Sequence, residues 1–352
     1  MPNKTEPACD FAIAAPAPPK SEAERREEIV ADCARSAAWT EGNLISPEEI
    51  RDRQQGGAPA RFNVISLPAW IELASRAGVE AIPLRQIAEM PTSEYVLTMD
   101  HLTNGKRITE FENQVLGGLR PGEILRFEQV APMEVKAALA AGGEISAGLI
   151  DGVDGRRFPA MYDERFYSTL LDLGAPKIRA YARPFVQPAL AEGELNGRDG
   201  KWPVEFRVFV VDGEITGVAN YYRQMHLDEQ RDLGEDGIRS AVDGSLEAAK
   251  AMLAEMARLG LTVGSQRLAP EPEHGGDFTL DFLLAEDGRV LFLEGGPAGL
   301  SFADPCAFLT DGAREISLEG VALSARRPPV PFEDWNAGVF RYDGEAPVAA
   351  AP

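Results

Sequence analysis

The sequence predicts a mixed α+β and α/β protein, and three features predict it. Residues 62–84 alternate strand, helix and strand. Further on, two pairs of apolar runs are each interrupted by an Asp-Gly step, Asp212-Gly213 and Asp287-Gly288. Asp-Gly between apolar runs marks a hairpin, because the favoured two-residue turn needs positive φ at its centre. Between the hairpins, Leu246, Met252, Leu253 and Met256 recur at helical spacing. Alternating elements followed by hairpins and a long helix give layered α and β structure.

Taken in order, residues 1–45 are expected to be disordered or loosely helical. They are Pro/Ala-rich at the start, and Glu22 to Arg35 has helix potential with Ile29, Val30 and Cys33 on one face. Ordered structure is expected from about Arg61, with an N-terminal α/β region over 60–118. Phe62 to Ile65 reads as a strand, Pro68 to Ala77 as a helix with Pro near its start, Val79 to Leu84 as a strand, and Tyr95 to Met99 as another. After the Pro121-Gly122 turn, Glu123 to Glu128 reads as a strand, and Pro132 opens a helix that stops at Gly142-Gly143. A further helix is expected over Tyr162 to Leu173, then a strand from Ile178 to Val186 with alternating Arg179, Tyr181 and Arg183. Residues 189–203 look like a polar loop. The first hairpin spans Val204 to Tyr222, and Ser240 to Asp243 resembles a capping box that starts the long helix, which ends by Gly260. The second hairpin spans Asp281 to Glu294. Residues 326–352 form a Pro/Ala-rich tail. No internal repeat is present.

Of the 352 residues, 44% are hydrophobic and 26% charged, ordinary values for a globular chain. The net charge is −21. Such a field repels nucleic-acid backbones and anionic membranes, so neither is expected as a partner. Three scattered cysteines (Cys9, Cys33, Cys306) suggest reduced thiols and a cytoplasmic location. Three histidines, distant in sequence, argue against a zinc site. No apolar run approaches a membrane span, and Pro16, Pro18 and Pro19 break the apolar stretch near the start, so no secretory signal is expected.

The second hairpin carries the strongest chemical signal. With a two-residue Asp287-Gly288 turn, Asp281 falls directly opposite Glu294. Cross-strand Cβ atoms lie roughly 4.5–5.5 Å apart, where like charges repel. The pair makes sense if a divalent cation sits between the two carboxylates; the bland alternative is an edge pair relieved by water. A three-residue loop would slip this register by one. In the first hairpin the same logic places Glu205 opposite Asn220 and puts Glu205, Arg207 and Asn220 on one face. Glu-x-Arg on a strand is most often a solvated face; the functional alternative is an Arg aimed at phosphate oxygens and fixed by its neighbour. Arg126, amid the apolar strand Ile124 to Phe127, is either a structural partner of a nearby Glu or a cation reaching a triphosphate. Lys136 reads as a solvated helix residue or a ligand contact. Arg183-Pro184-Phe185-Val186 is a connector or a hinge whose backbone reads an adenine edge.

The order of these pieces resembles the ATP-grasp superfamily: Arg126 before Pro132, an Arg183 hinge, Glu205-Phe206-Arg207, then Asp281 with Glu294. More narrowly it is similar to the branch containing the eukaryotic chaperone that assembles translation initiation factor two. Bacterial and phage proteins of unassigned role share the Arg126 to Lys136 and Glu294-Gly295-Gly296-Pro297 segments. The resemblance covers roughly residues 120–310. It implies two α+β lobes enclosing a nucleotide cleft over 119–325, preceded by the small α/β region. It also implies ATP contacts from Arg126, Lys136, Arg183, Phe185, Glu205, Arg207 and Asn220, and Mg²⁺ on Asp281 and Glu294, with Arg207 as the catalytic cation. Two departures stand out. Arg replaces Lys at 126, and Gly296 stands where many members carry a metal-ligating Asn, which implies more reliance on water and phosphates.

What the resemblance implies first is an ATP-dependent carboxylate–amine ligase working through an acyl phosphate. Its alternative is a non-ligase, ATP-binding assembly factor for a protein partner, and a third reading is a phosphotransferase to a hydroxyl. The acceptor, a small molecule or a protein, and the oligomeric state are not legible in the sequence.

Overall fold

The computed structural model describes residues 20–128, 170, 175–195, 198–211, 213–221, 234–263, 278–297, 315–318 and 321–324. Two capped helices come first. α1 (Glu22–Asn43) begins at a capping box in which Ser21 Oγ accepts from the Glu24 N–H and the Glu24 carboxylate accepts from the Ser21 N–H. α2 (Pro47–Asp52) repeats the device with Ser46 and Glu49 and has Pro in its first turn. Structure therefore starts well before Arg61, the start expected from sequence. The stretch around α2 belongs to the main core, with Ile50 fully buried.

β1 (Ala60–Arg61) takes the place of the strand expected at Phe62 to Ile65. Phe62 and Val64 still enter the core, but from an irregular segment. α3 (Leu67–Arg76) lies where expected, capped by Ser66, and buries Leu67, Trp70, Leu73 and Ala74 at helical spacing. The strand expected over Val79 to Leu84 is displaced to β2 (Arg85–Pro91), and within the earlier segment Ala81 alone bridges to Phe292. Pro83, which has no N–H to give a ladder, accounts for the shift. Tyr95 to Met99 is helical, not a strand: α4 (Thr92–Met99) buries Thr92, Tyr95 and Val96, an i, i+3, i+4 set. α5 (Lys106–Gly118) follows, burying Ile108, Phe111 and Val115.

β3 (Glu123–Phe127) and β4 (Lys177–Pro184) match the expectation. The polar loop expected over 189–203 is a hairpin, β5 (Leu190–Leu195) with β6 (Arg198–Pro203). The first predicted hairpin is β7 (Glu205–Val211) with β8 (Glu214–Asn220). The long helix, α6 (Gly234–Arg258), begins upstream of Ser240, so the capping-box match lies inside it. β9 (Leu261–Thr262) pairs in parallel with β1. The chain continues with β10 (Phe278–Leu284), β11 (Val290–Pro297), β12 (Glu315–Leu318) and β13 (Val321–Ser324). The helices expected after Pro132 and over 162–173 lie outside the described residues apart from Leu170, as does the tail at 326–352.

The strands form a six-stranded sheet, β11-β10-β7-β8-β13-β12, and a three-stranded antiparallel sheet, β2-β4-β3. One face of the larger sheet, with Phe206, Val208, Phe282 and Phe292, packs on α3 and α6. Trp70 anchors this core. Its ring lies 4.5 Å from Phe62 and 5.3 Å from Phe278, and its indole N–H donates to the Val64 carbonyl at 2.8 Å. Gly295 lets β11 approach it: a Cβ there would sit 2.5 Å from the indole. A second core fills the space between α4, α5 and the apolar face of β2-β4-β3, through Phe111, Val115, Phe127, Ile178 and Ala180.

Candidate functional site

Each sheet keeps a polar face, and the two faces meet. Along β4 the apolar residues Ile178, Ala180 and Ala182 alternate with Arg179, Tyr181 and Arg183. Ile178 and Ala180 pack on the second core, so the polar set turns away from it. Arg126 of β3 pairs with Tyr181 in register and joins the polar face. On the larger sheet, the residues that alternate with the core-facing ones include Glu205, Arg207, Thr279 and Asp281.

Arg207 and Asp281 stand directly opposite each other on β7 and β10. Arg207 Nε and Nη2 donate to Asp281 Oδ1 and Oδ2 at 2.8 and 2.7 Å, a bidentate pair. Both residues are buried, and the guanidinium carbon lies 4.6 Å from the centre of the Tyr221 ring. Arg207 is thus neither a solvated surface residue nor turned to bulk water.

Glu294 faces Asp281 across β10 and β11, as expected, but by an unexpected route. The hairpin loop has three residues, Glu286 to Gly288, closed by the Ala285 N–H donating to the Arg289 carbonyl at 2.8 Å, with Gly288 at φ 86°. That loop slips the register by one, so Phe282 pairs with Phe292. A bulge at Leu293 then absorbs one residue, and Asp281 pairs with Glu294 after all. The first hairpin behaves differently. Val211 pairs with Glu214 beside the turn, but an irregularity between Phe209 and Val210 leaves Phe206, not Glu205, opposite Asn220. The expected pairing of Glu205 with Asn220 therefore does not form.

Glu294 accepts a hydrogen bond from Arg126 Nη2, which links the small sheet to the edge of the large one. Its side chain is 22% exposed, against 4% for Asp281. Arg126 Nη1 donates to the Phe127 carbonyl at 2.8 Å. Arg183 lies in the same cluster, with Nη2 donating to the Leu293 carbonyl at 3.1 Å. Arg126 and Arg183 are 5% and 4% exposed, and the Nε–H of each is buried without a partner. Burial, with the repulsion of Arg126 added, pushes the Arg183 guanidinium down to about 10, while Glu294 and Glu205 act in the other direction.

This donor set does not fit Mg²⁺ as arranged. Both Asp281 oxygens accept from Arg207, and Glu294 is paired with Arg126. Among the described residues no three His, Cys, Asp or Glu side chains gather where a metal ion could sit. An oxyanion does fit, because two buried guanidinium groups each hold an Nε–H donor with no partner among the described residues, and such groups bind phosphate oxygens well.

The remaining sequence-predicted residues are more scattered. Phe185 is partly buried against the main core, its N–H bonded to the Gly122 carbonyl at 2.8 Å. Glu205 is half-buried beside the cluster, and Lys136 lies outside the described residues. Sequence reasoning missed Glu128, a 5% exposed carboxylate that accepts from Ser66 Oγ and Arg179 Nη1, each at 2.9 Å. The visible signal was the alternation on β4, since Arg179 reaches Glu128 from the same face as Arg183. Beside this pair a cavity of about 660 Å³ opens between α2, α3 and β4. Burial, with the nearby Glu128 carboxylate added, pushes the Tyr181 phenol up. No helix among the described residues is long and apolar enough to cross a membrane.

No protein-family model matches the chain, and no curated protein does. Among solved structures it is similar to Cdc123 from Schizosaccharomyces pombe, at 9% identity and a TM-score of 0.37, over 73% of this chain and 87% of that one. It is similar to the macrocyclase MdnC from Microcystis aeruginosa bound with precursor peptide MdnA, at 13% identity and a TM-score of 0.28, over 67% and 52%. It is similar as well to carboxyaminoimidazole ribonucleotide synthase from Aspergillus clavatus complexed with ATP, at 12% identity and a TM-score of 0.28, over 66% and 44%. The chain thus spans about half the length of these two enzymes. All three likenesses are at low sequence identity.

Proposed function

We propose that the chain binds ATP through its phosphates at the Arg126–Arg183 cluster, between the polar faces of the two sheets. The observation that carries this reading is the pair of buried guanidinium groups with unpartnered Nε–H donors. A buried donor left unsatisfied costs about 1–3 kcal/mol, more when charged, so such a pair makes physical sense where a ligand completes it. Arg183 then serves the phosphates and not an adenine edge, a role that belongs instead to the backbone of the segment after β4.

Within that reading, an ATP-binding assembly factor for a protein partner is favoured over a ligase. Acyl-phosphate chemistry needs cationic donors free to meet charge developing in the transition state. Arg207, the expected catalytic cation, is already committed to Asp281. The carboxylate–amine ligase is the second reading, and the cross-strand placement of Asp281 and Glu294 supports it. Calorimetric titration with ATP, followed by an ADP-release assay with amino acids and amines, separates the two. Binding without substrate-stimulated turnover is expected. Stimulated ADP release overturns the factor in favour of the ligase, and absence of ATP binding overturns both.

A further inference from the structure

We infer that Glu294 is an internal competitor for the anion site: it caps Arg126 while the site is empty, and an entering phosphate chain displaces it without help from a divalent cation. This rests on the phosphate-binding reading above and adds an order of events to it. The two carboxylates of the hairpin are not equivalent. Asp281 is held at both oxygens by Arg207 and is 4% exposed at its side chain. Glu294 is 22% exposed and accepts from Arg126 on the other sheet. It sits beside the Leu293 bulge, where the ladder is already broken, while the next residue, Gly295, is pressed against Trp70 and anchors the backbone. A change at Glu294 is therefore a side-chain swing on a fixed strand.

The charges support the exchange. Arg126 donates to Glu294, Arg183 lies within reach of the Glu294 and Glu205 charges, and each of the two guanidinium groups keeps a buried Nε–H without a partner among the described residues. A phosphate brings more charge and more acceptor oxygens than a carboxylate, and so replaces Glu294 on better terms. Until it does, the competent state is only a fraction of the population, and the apparent affinity is reduced by that fraction.

The test uses the full chain and inorganic tripolyphosphate in EDTA, which carries the phosphate chemistry without nucleoside or metal. Glu294→Gln is expected to bind tripolyphosphate at least about tenfold more tightly than wild type, because the competing charge is gone. Glu294→Asp, too short to reach Arg126 in the same way, is expected to shift in the same direction and guards against a folding artefact of the first variant. Equal or weaker binding by both variants overturns the inference, and so does absence of tripolyphosphate binding throughout. If the variants bind tripolyphosphate tightly but no form binds ATP, the exchange stands and the nucleotide reading fails. If ATP with Mg²⁺ binds but neither variant differs from wild type in EDTA, the nucleotide reading stands and the exchange fails.

Discussion

Asp281 and Glu294 face each other across β10 and β11, yet each answers to a different arginine on a different strand. Asp281 is locked inside the larger sheet by Arg207, whereas Glu294 reaches out of it to Arg126 on the smaller sheet. Each of the two like charges is thus met by a guanidinium group, while Arg126 and its neighbour Arg183 keep buried Nε–H donors without a partner among the described residues.

The Arg207–Asp281 pair is a structural unit whose halves depend on each other. Asp281→Ala is expected to cost about 3–5 kcal/mol, because it leaves a buried guanidinium uncompensated. Replacing both partners, as Arg207→Met with Asp281→Leu, is expected to recover most of that loss. Urea unfolding of the single and double variants measures both effects, and simple additivity would show that the pair is not coupled.

Close packing at Gly295 makes a second prediction. A methyl group there meets the Trp70 indole at 2.5 Å, inside any real contact distance. Gly295→Ala is expected to cost about 1–3 kcal/mol by overpacking the main core. Thermal unfolding reads the change, and an unaltered midpoint would mean that β11 is not held against Trp70.

Stability at low pH depends in part on Glu255. Its carboxylate accepts from Arg258 at 2.6 and 2.5 Å and from Arg76 at 3.0 Å. The Arg258 hydrogen bonds, aided by Arg76, hold it below the ordinary carboxylate value of 4.5. A depressed carboxylate contributes stability that is fully present above its unfolded value and is lost as pH falls through its folded value. Glu255→Gln is therefore expected to lose stability at neutral pH and to flatten the fall in stability below about pH 4.5. Unfolding curves at pH 7 and across the acid range check the sign, and parallel acid profiles would contradict it.

Much of the scaffold was legible where pattern and turn chemistry agreed. α3, β3 and β4 stand where their patterns put them, and both Asp-Gly hairpins form, though neither keeps the simple register of a two-residue turn throughout. Tyr95 to Met99 was misread because β-formers such as Tyr and Val say nothing of period, and Thr92, Tyr95 and Val96 share a helical face. α2 was overlooked although Ser46-Pro47 with Glu49 is a helix-start signature. The Asp281–Glu294 pairing came out right through two offsets that cancel, a three-residue loop and a bulge, neither visible in sequence. The first hairpin has one uncompensated irregularity, so its expected pairing failed. Arg126 and Glu294 lie 168 residues apart, and no local pattern could have joined them.

Each of the two cluster arginines is expected to contribute to ATP affinity. Arg126→Gln and Arg183→Gln each remove charge-assisted bonds of about 1.5–3 kcal/mol, which corresponds to roughly a ten- to hundredfold weaker Kd. Calorimetric titration of the folded variants reads this, with Arg289→Gln, a surface pair of Glu80 and Asp287, as the control that leaves binding unchanged.

A crystal structure of the chain with a non-hydrolysable ATP analogue tests the nucleotide assignment at its source. It is expected to place phosphate oxygens within hydrogen-bond distance of both Arg126 and Arg183, with Glu294 moved off Arg126. An analogue bound elsewhere, with the Arg126–Glu294 link intact, would contradict it.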